Sequence, residues 1–164
     1  MNVIAELDKP ISRELLGSAI PARLSYTGLD GGPRVIPIGF LWTGKDLVVC
    51  STPKMAKVRA LKADPRVALT IDTNGFPPRA LLIRGTATLE PVDGFPDEYL
   101  TAARKLLAPE QFPAWEASVR DLYDQMVRIT IRPAWARLLD FETTLPKAVE
   151  DLMRAKETRQ QEPE

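Results

Sequence analysis

The chain has 164 residues, 45% of them hydrophobic and 27% charged, a composition that suits one globular domain and excludes an intrinsically disordered chain. Its 22 basic residues balance 22 acidic ones, so no net charge draws it to a nucleic-acid backbone or an anionic membrane. There is no histidine and only one cysteine, Cys50, which excludes Ser-His-Asp and Cys-His catalysis, histidine-ligated zinc, haem on an axial histidine, internal disulfides and CxxC motifs.

Ile11 to Ser18 reads as a short helix with Ile11, Leu15 and Leu16 apolar, closed by Pro21. Strands follow over Ala22–Thr27, Arg34–Trp42 and Leu47–Ser51, separated by the turn-forming runs Gly28–Pro33 and Thr43–Asp46, as in an antiparallel meander. Cys50 ends the apolar run Leu47-Val48-Val49-Cys50 and is expected to be a buried small hydrophobe rather than a reactive thiol. Thr52-Pro53 offers a cap and a first-turn proline, so a helix of about three turns should start there and stop before Asp64-Pro65. Val67–Asp72 and Arg79–Glu90 read as further strands, and Asp97–Leu107 and Pro113–Gln125 as helices. Val127–Arg132 alternates as a half-exposed strand that Pro133 interrupts, Trp135–Phe141 is a final strand, and Leu145–Lys156 is a closing helix. The expected architecture is mainly β with helices: a six- or seven-stranded antiparallel split β-barrel in a single domain over residues 1–156, with a polar, frayed tail over 157–164.

Chemistry near neutral pH without histidine requires carboxylates or lysines with displaced pKa values, or a bound cofactor. The densest constellation is Ser51-Thr52-Pro53-Lys54-Met55-Ala56-Lys57, which gathers two hydroxyls, free helix amides and cations around one helix start. Lys54 and Lys57, three apart, would share a helix face, and a ligand phosphate would fit between them. The plainer alternative is that Ser51 and Thr52 cap the helix and the lysines form its solvated face. No Walker loop or GxGxxG turn is present. No apolar run approaches the ~20 residues of a membrane span, and Glu6 and Asp8 occupy the N-terminus where a signal peptide is apolar, so a cytoplasmic location is expected.

The strand Arg34-Val35-Ile36-Pro37-Ile38-Gly39-Phe40-Leu41-Trp42, the helix Lys57-Val58-Arg59-Ala60-Leu61-Lys62-Ala63-Asp64-Pro65-Arg66-Val67 and the strand Leu82-Ile83-Arg84-Gly85-Thr86-Ala87 resemble the split-barrel flavin-binding family of pyridoxamine 5'-phosphate oxidases and deazaflavin-dependent reductases. The resemblance implies that Ser51, Thr52, Lys54 and Lys57 hold a cofactor phosphate. It also implies that the ring lies against Pro37, Ile38, Gly39 and Phe40, and against Ile71 and Asp72. The family's cofactor lies at a homodimer interface, which makes Arg79 and Trp135 candidates for reaching the partner's site. Taken on their own, Phe40 and Trp135 suit a core or an interface, and Arg79 a solvated strand end. True pyridoxamine phosphate oxidases recognise substrate with an arginine and a histidine near the C-terminus; this chain lacks the histidine, and that activity is not expected. The implied function is an oxidoreductase using FMN, or alternatively the deazaflavin coenzyme F-420, on a small organic substrate, with no nucleic-acid or membrane partner. The competing reading is a non-catalytic carrier on the same barrel.

Overall fold

The computed structural model describes residues 2–161. Two short helices, α1 (Val3–Leu7) and α2 (Pro10–Gly17), precede β1 (Ala22–Thr27), β2 (Pro33–Ile38), β3 (Leu41–Trp42) and β4 (Leu47–Ser51). Helix α3 (Ala56–Ala63) leads to β5 (Arg66–Asp72) and β6 (Ala80–Asp93), α4 (Asp97–Leu106) and α5 (Phe112–Leu122) follow, and β7 (Gln125–Leu139) and α6 (Lys147–Gln161) complete the chain. Helix α1 was not expected from the sequence; Asn2 caps it, its side chain accepting from the amides of Ile4 and Ala5. The polar tail begins as part of α6, which runs to Gln161, and residues 162–164 lie outside the described residues.

All seven strands form one antiparallel sheet in the order β2-β1-β5-β6-β7-β4-β3. The expected single strand Arg34–Trp42 is therefore two: β2 pairs only with β1 and β3 only with β4, at opposite edges of the sheet. Gly39 and Phe40 join them, so two residues hold the outer edges together and curl the sheet into a split barrel. The inward row Leu24, Leu69, Ile83 and Ala136 runs across β1, β5, β6 and β7, and α2 and α3 add Leu15, Leu16, Val58 and Leu61 to the same core.

Pro133 does not end a strand. β7 runs unbroken past it because the register shifts at Arg84/Gly85, placing Gly85 opposite Pro133 and Arg84 opposite Trp135. One extra residue on β7 reverses which side chains face inward: Val127, Ile129 and Ile131 are buried before the bulge, Ala136 and Leu138 after it. Proline suits the bulge because it has no amide to leave unpaired. Gly85 is required there, since a Cβ would stand 2.3 Å from the Arg132 carbonyl oxygen.

Helices α4 and α5 pack by their own small cluster of Leu100, Ala103 and Phe112, joined by Trp115, and α4 lies over the outer side of β3 and β4. Among the described residues no helix is long and apolar enough to cross a membrane.

Candidate cofactor-binding site

Ser51 is the last residue of β4, opposite Val127 of β7, and shares the inward parity of Leu47 and Val49. It is 4% exposed and its Oγ has no hydrogen-bond partner in the protein. A buried hydroxyl left unpaired costs about 1–3 kcal/mol; among the described residues the Ser12 hydroxyl on α2 is orphaned as well, so an unpaired hydroxyl points to a ligand only together with the groups around it.

The chain must then reverse before a helix can run, and it does so in a turn in which the Met55 amide donates to the Thr52 carbonyl at 3.2 Å. The expected start at Thr52-Pro53 is thus corrected: α3 begins at Ala56, its cap residue Met55 is extended, and no side chain caps it. The helix is about two turns rather than three, and Lys54 sits exposed in the preceding turn, outside the helix. A shared helix face for Lys54 and Lys57 does not arise. Neither Ser51 nor Thr52 caps α3, so the plain capping role does not account for them either.

Lys57 is the second residue of α3, half-buried, and burial alone lowers its pKa. Among the described residues no carboxylate forms an ion pair with it. A partly desolvated cation, uncapped helix amides and an orphaned hydroxyl lie within one strand-to-helix junction, and each is a kind of group that an anion with several acceptor oxygens, such as a phosphate monoester, can use.

The other expected residues occupy three further places. Pro37 and Ile38 end β2 and lead into Gly39 and Phe40 at the crossing; Pro37 is exposed and Ile38 and Gly39 are half-buried. Phe40 is 1% exposed in the core, with Lys105 Nζ 4.3 Å from its ring centroid, so only its backbone can meet a ligand. Ile71 is likewise a core residue, and Asp72 is held by Arg23 at 3.2 Å. Arg79 pairs with Glu14 at 3.2 Å at the start of β6. Trp135 is turned to the outer face by the bulge, beneath the Arg84 guanidinium at 4.5 Å. On that face Val35, Ser25, Ala68, Arg84 and Trp135 stand in register across five strands.

Two features near these residues were not anticipated. A cleft of about 250 Å³ between the β1–β2 hairpin and the start of α3 is lined by Tyr26, Arg34, Ala56 and Arg59. A second cavity, under α4, touches Ile38, Gly39 and Cys50. Burial, with the Glu98 carboxylate nearby, pushes the Cys50 thiol up to about 12, which agrees with the inert small-hydrophobe reading.

The chain matches the family model described as pyridoxamine 5'-phosphate oxidase over residues 10–138. No curated protein sequence matches it significantly. Among solved structures it is similar to an F420 reductase, at 28% identity and a TM-score of 0.59, over 76% of this chain and 94% of that one. It is similar in fold to the putative pyridoxamine 5'-phosphate oxidase of Listeria innocua, at 22% identity and a TM-score of 0.55, over 82% and 99% of the two chains. The heme storage protein HutZ of Vibrio cholerae shares the fold too, at 16% identity and a TM-score of 0.57, over 80% and 92%. With the split barrel in place and nearly the whole β framework inside the match, the chain belongs to the pyridoxamine 5'-phosphate oxidase family.

Proposed function

We propose that the protein is an oxidoreductase that binds a flavin-type cofactor, FMN or the deazaflavin coenzyme, with its phosphate at the β4–α3 junction. The observation that carries this reading is the buried, unpartnered Ser51 hydroxyl at the same junction as the unpaired, half-buried Lys57. Family membership supports it, and the 28% identity with an F420 reductase adds weight to the deazaflavin alternative. Ser51 Oγ, the first amides of α3 and Lys57 Nζ would hold the phosphate, with Thr52 and Lys54 at its rim. The backbone of Pro37 to Phe40 would border the ring. When bound, the ring supplies the hydride or electron chemistry; the chain supplies binding, orientation and a site without histidine, so no protein imidazole is available to move a proton.

The carrier reading shares this site and differs only in turnover. Histidine-ligated haem is not open to the chain, which has no histidine. The reading places the protein in the cytoplasm as a homodimer with the cofactor near the subunit interface. Val35, 65% exposed on β2, and Leu152, 66% exposed on α6, are apolar surfaces that a second copy would cover.

The test is titration of cofactor-free protein with FMN and, separately, with the deazaflavin coenzyme, followed by tryptophan quenching. One of them should bind at micromolar concentration or tighter, and Lys57→Ala should weaken it by about 1–3 kcal/mol, roughly five- to 150-fold. If neither binds, the oxidoreductase reading falls. If one binds but no substrate from a broad panel reduces or reoxidises it, the carrier reading replaces it.

A further inference from the structure

The cavity under α4 lies where the barrel wall, α4 and α5 meet. Its barrel side is Ile38, Gly39, Val48 and Cys50; its helical side includes Glu98, Tyr99 and Trp115. Its volume is about 160 Å³. An apolar cavity of about 150 Å³ stays dry and accepts benzene, so the volume of this one matches a single six-membered ring, and a second ring would have to pass the half-exposed Leu106. The Tyr99 and Trp115 rings, 5.5 Å apart between centroids and inclined by 40°, give it an aromatic wall.

Its ionisable groups are neutral or already paired. Burial raises the Tyr99 hydroxyl above its usual range, and the Cys50 thiol stands at about 12, so both stay protonated. Glu98 is held by Arg128, whose Nε lies 3.1 Å from Oε1 and whose Nη2 donates to Oε2 at 3.2 Å. The Nε–H is not aligned for a hydrogen bond, so that contact is an ion pair only. Arg128 is shared with Glu90 at 2.9 Å, so its charge is already matched by two carboxylates and is not free to hold an anion in the cavity. No lysine or arginine lines the cavity.

We propose that this cavity is a binding site for a neutral, single-ring aromatic or quinone-like molecule, positioned beside Ile38 and Gly39. As a substrate site it rests on the functional reading, which places the cofactor ring along the same two residues; as a cavity it does not. Tyr99 and Trp115 would set specificity by shape, and the hydroxyl of Tyr99 and the thiol of Cys50 are the donors available to a ligand carbonyl or hydroxyl.

The test is calorimetric titration of the full chain with 4-methylphenol, with 4-methylbenzoate as the anionic counterpart of the same ring size. The neutral ring should bind at submillimolar concentration and the carboxylate should not. Ala103→Ile, which fills the cavity, should weaken 4-methylphenol by about tenfold or more. Leu106→Ala, at a partly exposed position, should admit 2-naphthol, which the unaltered protein excludes; this gain of binding carries the test if Ala103→Ile fails to fold. Equal binding of both single rings, no binding of 4-methylphenol, or no gain in Leu106→Ala overturns the proposal. If 4-methylphenol binds as expected and no cofactor does, the cavity stands and the oxidoreductase reading fails; cofactor binding without 4-methylphenol binding gives the reverse.

Discussion

Ser51 and Lys57 are each unfavourable in the ligand-free fold, the first for want of a hydrogen-bond partner and the second through burial. Ser51→Ala removes a buried hydroxyl that has no partner, so the cofactor-free protein should gain about 1 kcal/mol, or roughly 2–4 °C in melting temperature, while cofactor affinity falls. A melting temperature that drops instead would mean that the hydroxyl is satisfied within the fold. Asp140 has the opposite character. It is buried, and the Thr143 hydroxyl, with the amides of Glu142, Thr143 and Thr144, holds its carboxyl at about 2. Because its folded pKa lies below the ordinary carboxylate value, this stability is fully present above about pH 4 and is lost as pH falls toward 2. Acid titration of the melting temperature should show Asp140→Asn losing about 2 kcal/mol at pH 7 and much less near pH 2. The junction residues were readable in the sequence because hydroxyls, lysines and a strand end lie within seven positions of one another. Glu98, Tyr99 and Trp115 carried no such signal: they meet Cys50 only because α4 docks on β4, and that docking is a tertiary choice that local pattern does not encode.

The elements that departed from their sequence patterns did so where the chain bends. Alternation found Val127–Arg132 and Trp135–Phe141 correctly in kind, yet proline propensity made two strands of them, whereas the bulge makes one. Gly85→Ala tests that geometry: the added methyl would meet backbone rather than a yielding side chain, so β6 and β7 must part locally. A loss of about 3 kcal/mol or more is expected in denaturant unfolding. A loss below about 1 kcal/mol would show that the ladder re-registers at little expense. The delayed start of α3 has a similar origin. Thr52-Pro53 has good first-turn chemistry, but Ser51 is still pinned to Val127, and reversal from the strand takes precedence over propensity.

The seven-stranded order could not be read from local pattern, because antiparallel strands of equal hydrophobicity fit several neighbours; the family resemblance supplied the barrel, and the register supplies the reason it closes. The barrel still leaves apolar surface open. Val35 and Ala68 on the outer face of the sheet and the exposed Val149, Leu152 and Met153 of α6 are the surfaces that the proposed homodimer would bury. Sedimentation should give a dimer, and Val35→Lys together with Leu152→Lys should shift it toward monomer without loss of the melting transition; a monomeric unaltered protein would remove the interface from the reading. Gly39 and Phe40 carry a different implication. They are the tether between the two outer ladders, so a circular permutant opened there would let β2 and β3, already the outer edges of the sheet, swing apart. Each would then seek the complementary edge of another molecule, and the same sequence that closes on itself as one barrel would polymerise by strand exchange.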